Sequence, residues 1–151
     1  MPSRLTVVVI HWNRSAGLAR SLERLQHQGL EVEAVVVDNG SSAEHLARAR
    51  NLVAGHPARH LIELGTNTGF GPAANSGVSW WLGARDDRWV ALMPHDALPA
   101  VGALAELVEV AESTPGIGYL SADVGDGATP VIDPYFGGIT KPAAASSGFE
   151  P

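Results

Sequence analysis

Two carboxylates stand directly after strand-like apolar runs of the sequence. Asp38 directly follows the run Val35–Val37 and is the first residue of the sequence Asp-Asn-Gly-Ser-Ser. Asp96 lies three residues after the end of the apolar run 89–93. A carboxylate at such a point can accept a hydrogen bond from a base or a ribose. Mg²⁺ and Mn²⁺ take one or two protein carboxylates together with phosphate oxygens and water. Asp96 is therefore the metal candidate, and His95 could assist with Mn²⁺.

Each carboxylate also has an ordinary structural interpretation. The sequence Asp-Asn-Gly-Ser favours a turn in any protein, which would explain the presence of Asp38 without a bound ligand. Asp96 could belong to the N-cap region of a helix predicted to begin near Pro99. Taken one at a time, these residues leave both interpretations open.

A glycine-rich segment, Gly65–Gly77, lies between the two carboxylates and reads G-T-N-T-G-F-G-P-A-A-N-S-G. Its glycines let backbone approach a ligand, Asn67 and Asn75 supply amide groups, and the helix that follows favours a phosphate at its N-terminus. A helix entry with asparagine caps is the plainer interpretation. The segment lacks both the G-x-G-x-x-G spacing of dinucleotide-binding loops and the lysine of a P-loop, which disfavours NAD or ATP as ligand.

The elements that must position these residues alternate along the chain. Aliphatic runs predict strands at residues 5–10, 32–37, 60–64, 89–93 and 117–120, and helical periodicity predicts helices at 18–25, 43–53, 72–82 and 99–112. Strands and helices at this spacing indicate an α/β fold with a mostly parallel sheet. Because ligands of such sheets bind at the carboxyl ends of the strands, all three informative loops are expected at one edge.

Composition narrows the functional classes. The chain has 151 residues, a net charge of −6 and no cysteine. One domain with a substantial core is expected. Nucleic acid is disfavoured as a partner because its phosphates require a basic surface, and cysteine-based catalysis is excluded. With no leader pattern and no apolar run of membrane-spanning length, a cytosolic enzyme is expected. The Ala/Gly/Arg-rich composition is associated with GC-rich bacterial genomes.

Four segments occur in the order and spacing of the family 2 glycosyltransferases, at residues 7–13, 35–42, 67–77 and 91–96. Residues 5–122 resemble most closely the rhamnosyltransferase-like branch, in which the V-D-N-G-S strand end and the N-x-G-F loop are characteristic. The resemblance implies the GT-A fold, a Rossmann-like three-layer nucleotide-binding domain. It further implies a nucleoside-diphosphate sugar donor, Mn²⁺ or Mg²⁺ as cofactor, and inversion at the anomeric carbon.

The resemblance also implies a nucleotide-sugar site whose members lie in all four segments. These are His11, Trp12, Asn13, Asp38, Asn67, Gly69, Asn75 and His95, with Asp96 as the metal ligand. The end of the first strand would line the base, and Asp38 would hydrogen-bond it. The turn from Asn67 to Asn75 would shape the floor under the nucleotide and the donor sugar.

The sequence departs from the family pattern in two places near these residues. Pro94 replaces the first carboxylate of the D-x-D-like element, and Ala74 stands where other branches carry an arginine. The resemblance also implies a catalytic carboxylate far beyond Asp96. The carboxylates of the Gly/Pro-rich segment 123–151 match no base motif: Asp123, Asp126, Asp133 and Glu150. We assign no catalytic base, and we expect residues 1–122 to form the nucleotide-sugar-binding core and residues 123–151 to begin an acceptor-binding region that is cut short.

The function implied is transfer of a sugar from a dTDP-, UDP- or GDP-linked donor to a glycan or lipid-linked acceptor of the cell surface, in the cytoplasm or at the inner face of the membrane. Two alternatives remain. One is a non-catalytic nucleotide-sugar-binding module. The other is a sugar nucleotidyltransferase, which should carry a basic glycine-rich loop after the first strand. Residues 11–17 are a weak version of that loop, with one glycine and one arginine.

Overall fold

The computed structural model describes residues 4–84 and 87–122, together with the backbone of 131–132 and 139–140. The strands and helices of the chain alternate up to the fourth helix. The strands are β1 Arg4–His11, β2 Glu31–Asp38, β3 Arg59–Glu63, β4 Val90–Pro94, β5 Val131–Ile132 and β6 Ile139–Thr140. The helices are α1 Ser15–Leu25, α2 Ala43–Val53, α3 Phe70–Ala84 and α4 Ala103–Ser113.

Strands β1 to β4 form one parallel sheet in the order β3-β2-β1-β4. The two central strands, β1 and β2, are the valine-rich ones, and their valines are buried except for the half-buried Val32. Successive side chains of a strand point to opposite faces of the sheet, so a strand covered on both faces is apolar throughout. Strands β5 and β6 form a separate antiparallel pair.

Helices cover both faces of the sheet. On one face, Val7, Val9 and Val36 pack in a cluster with residues of α1, α2 and α4. On the other face, Val8 and Val35 pack in a cluster with residues of α3. The three-layer α/β prediction is therefore confirmed.

The helices that connect the strands change from one face of the sheet to the other at β1. Helices α1 and α2 lie on one face, and α3 crosses the other face to reach β4 on the far side of β1. The carboxyl ends of β1 and β4 thus flank the point where the strand order reverses, which is where open α/β sheets bind ligands. Ile10 is paired in register with Pro94 at this point.

Two local predictions were wrong. Helix α4 begins at Ala103 rather than Pro99, because Gly102 has a φ of +79°, which a right-handed helix cannot include. Residues 117–120 form no strand: the run is short, Gly118 interrupts it, and Tyr119 is exposed.

The chain divides into two compact units, Met1–Val110 and Ala111–Pro151. The first contains the four-stranded sheet, and the second contains the β5–β6 pair. The boundary predicted at residue 122 stays a prediction, and the carboxylates of the segment 123–151 lie outside the described residues. None of the helices in the described ranges is long and apolar enough to cross a membrane.

Candidate active site

The ends of β1, β2 and β4 bring three predicted residues together. His11 is paired in register with Asp38. The backbone N–H of His95 donates to the carbonyl oxygen of Ile10 at 3.0 Å, which extends the pairing of β4 with β1 by one residue. The rings of His11 and His95 meet edge to face, with centroids 5.6 Å apart. These side chains therefore form one polar cluster at the carboxyl edge of the sheet.

Asp38 is buried at the base of this cluster, with 1% of its surface exposed. Its Oδ1 accepts a hydrogen bond from the backbone N–H of Ser41 at 3.0 Å, so the turn interpretation is correct for one oxygen. Its Oδ2 lies 3.8 Å from His11 Nε2, beyond hydrogen-bond distance. Within the described part of the chain, this oxygen and both ring nitrogens of His11 have no hydrogen-bond partner.

Burial also controls the charge of His11. It lowers the pKa of the imidazole below the ordinary value, and the attraction of Asp38 opposes burial only in part. His11 is therefore neutral at pH 7. The neutral imidazole of His11 and the carboxyl group of Asp38 therefore leave donor and acceptor atoms unused in the cluster.

Asn13 joins the loop after β1 to the loop after β2. Its Oδ1 accepts a hydrogen bond from the N–H of Ser42 at 2.7 Å, and its own N–H donates to Ser41 Oγ at 3.0 Å. Asn13 adopts a φ of +50°, a conformation that asparagine tolerates better than most residues. Next to it, Trp12 exposes 48% of its surface, which is suited to stacking against a flat ring.

Asn39 joins the loop after β2 to the glycine-rich segment, and sequence reasoning gave it no role. Its Nδ2 donates to Asn67 Oδ1 at 3.2 Å and to the carbonyl oxygen of Gly69 at 3.1 Å. Its Oδ1 accepts from the N–H of Thr68 at 2.8 Å and from Thr68 Oγ1 at 3.1 Å. The position next to Asp38 was the only signal in the sequence, because partners nearly thirty residues away cannot be read from local pattern.

Gly40 shows how closely these two loops approach each other. It has a φ of +75°, and a Cβ atom built on it would lie 2.3 Å from the carbonyl carbon of Thr66. Only glycine fits both the conformation and the space.

Helix α3 begins at Phe70, at the end of the glycine-rich loop. Asn75 is exposed on this helix, and no hydrogen bond within the described residues joins it to Asn67 or Gly69. Ala74 is buried against the sheet beside Val8, so a long arginine side chain has no room at this position. The loop and the start of α3 are thus brought to the site, while Asn75 stands apart from the bonded cluster.

Asp96 lies in a turn, closed by a hydrogen bond from the N–H of Ala97 to the carbonyl oxygen of Pro94 at 3.1 Å. Helix α4 begins only at Ala103, so the N-cap interpretation of Asp96 was wrong. The side chain is exposed and lines a cleft of about 320 Å³. The other residues that line this cleft are Asn13, Arg14, Ser15, Ala16, Gly17, Arg20, His45 and Arg48.

The donor set around Asp96 fits one kind of metal. The described residues contain no group of three or more His, Cys, Asp or Glu side chains that could hold an ion alone. A single exposed carboxylate therefore suits Mg²⁺ or Mn²⁺, whose remaining ligands come from phosphates and water. It does not suit zinc, which requires three or four protein ligands.

The fold is a Rossmann-like α/β domain, with the candidate site's polar residues at the carboxyl edge of its parallel sheet. The family model described as glycosyl transferase family 2 matches residues 6–134. This chain belongs to that family.

Solved structures of other proteins share the fold. The mannosyltransferase PcManGT from Pyrobaculum calidifontis, solved in complex with GDP-Man and Mn²⁺, is 26% identical, with a TM-score of 0.64. The alignment covers 78% of this chain and 36% of that one. S. aureus TarS 1-349 is 20% identical with a TM-score of 0.60, over 85% of this chain and 41% of that one. The chain thus spans well under half the length of these proteins. No curated protein matches it.

Proposed function

We propose that this chain forms the donor-binding part of a metal-dependent, inverting glycosyltransferase. It transfers a sugar from a nucleoside-diphosphate sugar to a glycan or lipid-linked acceptor. The observation that carries this proposal is that Asp38, the loop Asn67–Gly69 and Asp96 lie at one edge of the sheet in a family 2 chain. The acceptor site and the catalytic base are assigned to no described residue.

The residues have distinct roles in this proposal. Asp38 and His11 supply hydrogen-bonding atoms beneath the base, Trp12 stacks on its ring, and the loop Asn67–Gly69 forms the floor under the nucleotide. Asp96 holds Mn²⁺ or Mg²⁺, which when bound supplies positive charge for the departing diphosphate. In the reaction, the acceptor hydroxyl oxygen forms a bond to the anomeric carbon as the bond to the diphosphate breaks. The hydroxyl proton goes to a base.

The nucleotide is proposed as a short set of candidates. The mannosyltransferase neighbour was solved with GDP-Man, whereas the V-D-N-G-S and N-x-G-F segments resemble the rhamnosyltransferase-like branch. GDP, dTDP and UDP are therefore all to be tested. Following the same resemblance, we place the reaction in the cytoplasm, at the inner face of the membrane when the acceptor is lipid-linked.

Calorimetry tests the donor site directly. We expect one of GDP, dTDP and UDP to bind in the presence of Mn²⁺, and EDTA to weaken binding at least about tenfold. Asp96→Asn should weaken the metal-dependent binding by a similar factor, because it removes the proposed protein ligand of the ion. Glu23→Gln is the matched control, since it neutralises an exposed carboxylate on α1 that does not line the cleft.

Two results would overturn the proposal. If the wild-type chain binds none of the three nucleotides, the donor site is wrong. If Asp96→Asn binds as tightly as the wild type with Mn²⁺, the metal role of Asp96 is wrong. Donor binding without transfer of the sugar to any acceptor would instead favour the non-catalytic module.

A further inference from the structure

We propose that Asn39 is a positioning residue that holds the loop Thr66–Gly69 in its donor-binding shape before any nucleotide arrives. The inference rests on the proposed function, because the importance of this loop for binding comes from there. Asn39 itself need not touch the donor. It acts through the three consecutive residues Asn67, Thr68 and Gly69.

Both polar atoms of the Asn39 side-chain amide form hydrogen bonds. Its Nδ2 donates twice, to Asn67 and Gly69, and its Oδ1 accepts twice from Thr68. The side chain is 4% exposed, so water cannot replace these partners without a rearrangement. No other side chain of this size both donates and accepts in this way: aspartate lacks the donors and leucine lacks both.

Apart from Asn39, the loop has an internal hydrogen bond from the Gly69 N–H to Asn67 Oδ1 at 2.9 Å and one to α3, from the Ala73 N–H to the carbonyl oxygen of Gly69 at 3.3 Å. Leu64 is still bonded to the end of β2, with its N–H donating to the carbonyl oxygen of Asp38 at 3.0 Å. Beyond Leu64, every hydrogen bond that the described residues form between Thr66–Gly69 and the end of β2 involves the side chain of Asn39. All four loop residues are exposed. A loop without this anchor would have to be ordered by the ligand, and that cost would fall on binding.

Asn39 is in turn held in place by the sheet. Its backbone N–H donates to the carbonyl oxygen of His11 at 2.8 Å, one step beyond the last pair of β1 and β2. The side chain of Asn39 therefore fixes the position of the loop relative to the central strands. Such preorganisation raises affinity without a new contact to the ligand.

Hydrogen exchange of the nucleotide-free protein, read by NMR, tests the anchoring. In Asn39→Ala, we expect the amide of Thr68 to exchange at least about tenfold faster, since its acceptor is lost. In Asn39→Asp, Thr68 should stay protected because an acceptor oxygen remains, while the bonds to Asn67 and Gly69 are lost. Unchanged exchange of Thr68 in Asn39→Ala would overturn the proposal. This test does not depend on nucleotide binding.

Nucleotide affinity then tests the consequence for binding. We expect both Asn39 variants to weaken the metal-dependent binding at least about tenfold, by loss of preorganisation. The matched control is Gln28→Ala. Gln28 is another buried amide, whose Nε2 donates to the carbonyl oxygens of Arg24 and Ala100 and whose Oε1 accepts from the N–H of Leu104. It lies at the other end of α1, away from the carboxyl edge.

Gln28→Ala should lower Tm but leave nucleotide affinity within about twofold, because it removes an anchor remote from the site. Equal weakening by Gln28→Ala and Asn39→Ala would mean that Asn39 serves stability alone and would overturn the positioning role. Wild-type affinity in Asn39→Ala would do the same. Absence of binding by the wild type would instead count against the proposed function, and Thr68 exchange would still decide whether Asn39 holds the loop.

Discussion

At the scale of single residues, the carboxyl edge carries buried polar groups that the fold does not satisfy. Asp38 Oδ2 and both nitrogens of His11 lack partners among the described residues, although most buried polar atoms of a folded protein are hydrogen-bonded. Leaving such groups unpaired costs stability, and arrangements of this kind are concentrated at functional sites. The pair is thus consistent with a site whose partner atoms arrive with water or a ligand.

The buried imidazole predicts a pH dependence of stability. The pKa of His11 is lower in the folded protein than its unfolded value of 6.5, so the unfolded chain binds the proton more readily. Stability from this group is therefore complete above pH 6.5 and is lost as the pH falls from there toward the folded pKa. We expect the urea midpoint to decrease between pH 7.5 and pH 5.5 (about one unit either side of 6.5).

Two variants isolate the contribution of His11. His11→Gln should reduce the pH dependence of the midpoint, and His27→Gln, at an exposed position just beyond the end of α1, should not. The titratable groups that act on His11 are Asp38, His95 and His45, and all three remain in both variants. An unchanged pH dependence in His11→Gln would show that another group is responsible.

At the scale of elements, α3 contacts the sheet through a glycine. A Cβ atom built at Gly77 would lie 2.2 Å from Cγ1 of Val8 and 3.2 Å from Cγ2 of Val37. Both valines are stiff at χ1 and fully buried, so neither can move away easily. The helix can therefore approach β1 and β2 only without a side chain at this position.

Gly77→Ala should destabilise the protein by about 1–3 kcal/mol through overpacking, measured by urea unfolding. Gly83→Ala is the matched control in the same helix, where an added Cβ meets no atom within 4 Å. There, the better helix propensity of alanine should leave stability unchanged or raise it by up to about 1 kcal/mol. Equal effects of the two substitutions would refute the close packing at Gly77.

At this scale, the sequence predicts the elements whose formation depends on neighbouring residues in the chain. The valine runs of β1 and β2 and the leucine periodicity of α1 indicate strands and a helix directly, and the structure confirms them. The predicted start of α4 was wrong because the helical spacing of apolar residues continues across Gly102, whereas the backbone of Gly102 is not helical.

The candidate site was predictable in outline for the same reason. Carboxylates after buried strands indicate which edge is polar, and the parallel sheet brings those ends together. The role of Asn39 depends on Asn67, Thr68 and Gly69, distant in sequence, and on the exact approach of two loops at Gly40. Local pattern contains no such information.

At the scale of the whole molecule, every candidate site residue from His11 to Asp96 lies within the unit Met1–Val110. A ligand that binds only the folded form of this unit must stabilise all of it, including strands that it does not touch. The extent of stabilisation therefore reports whether the described sheet is the part of the chain that carries the donor site.

At a free nucleotide concentration of about 100 times Kd with Mn²⁺, the free energy of unfolding should rise by about 2.7 kcal/mol. Amides of the buried strands at Val8 and Val36, which exchange through global unfolding, should slow by the corresponding factor of about 100. Asp96→Asn at the same nucleotide concentration should show much less slowing, since the fraction of protein bound falls with affinity. If calorimetry shows saturation while Val8 and Val36 exchange as in the nucleotide-free protein, binding is not linked to folding of this unit. The donor site would then have to lie outside Met1–Val110, and the roles given to Asp38 and Asp96 would be wrong.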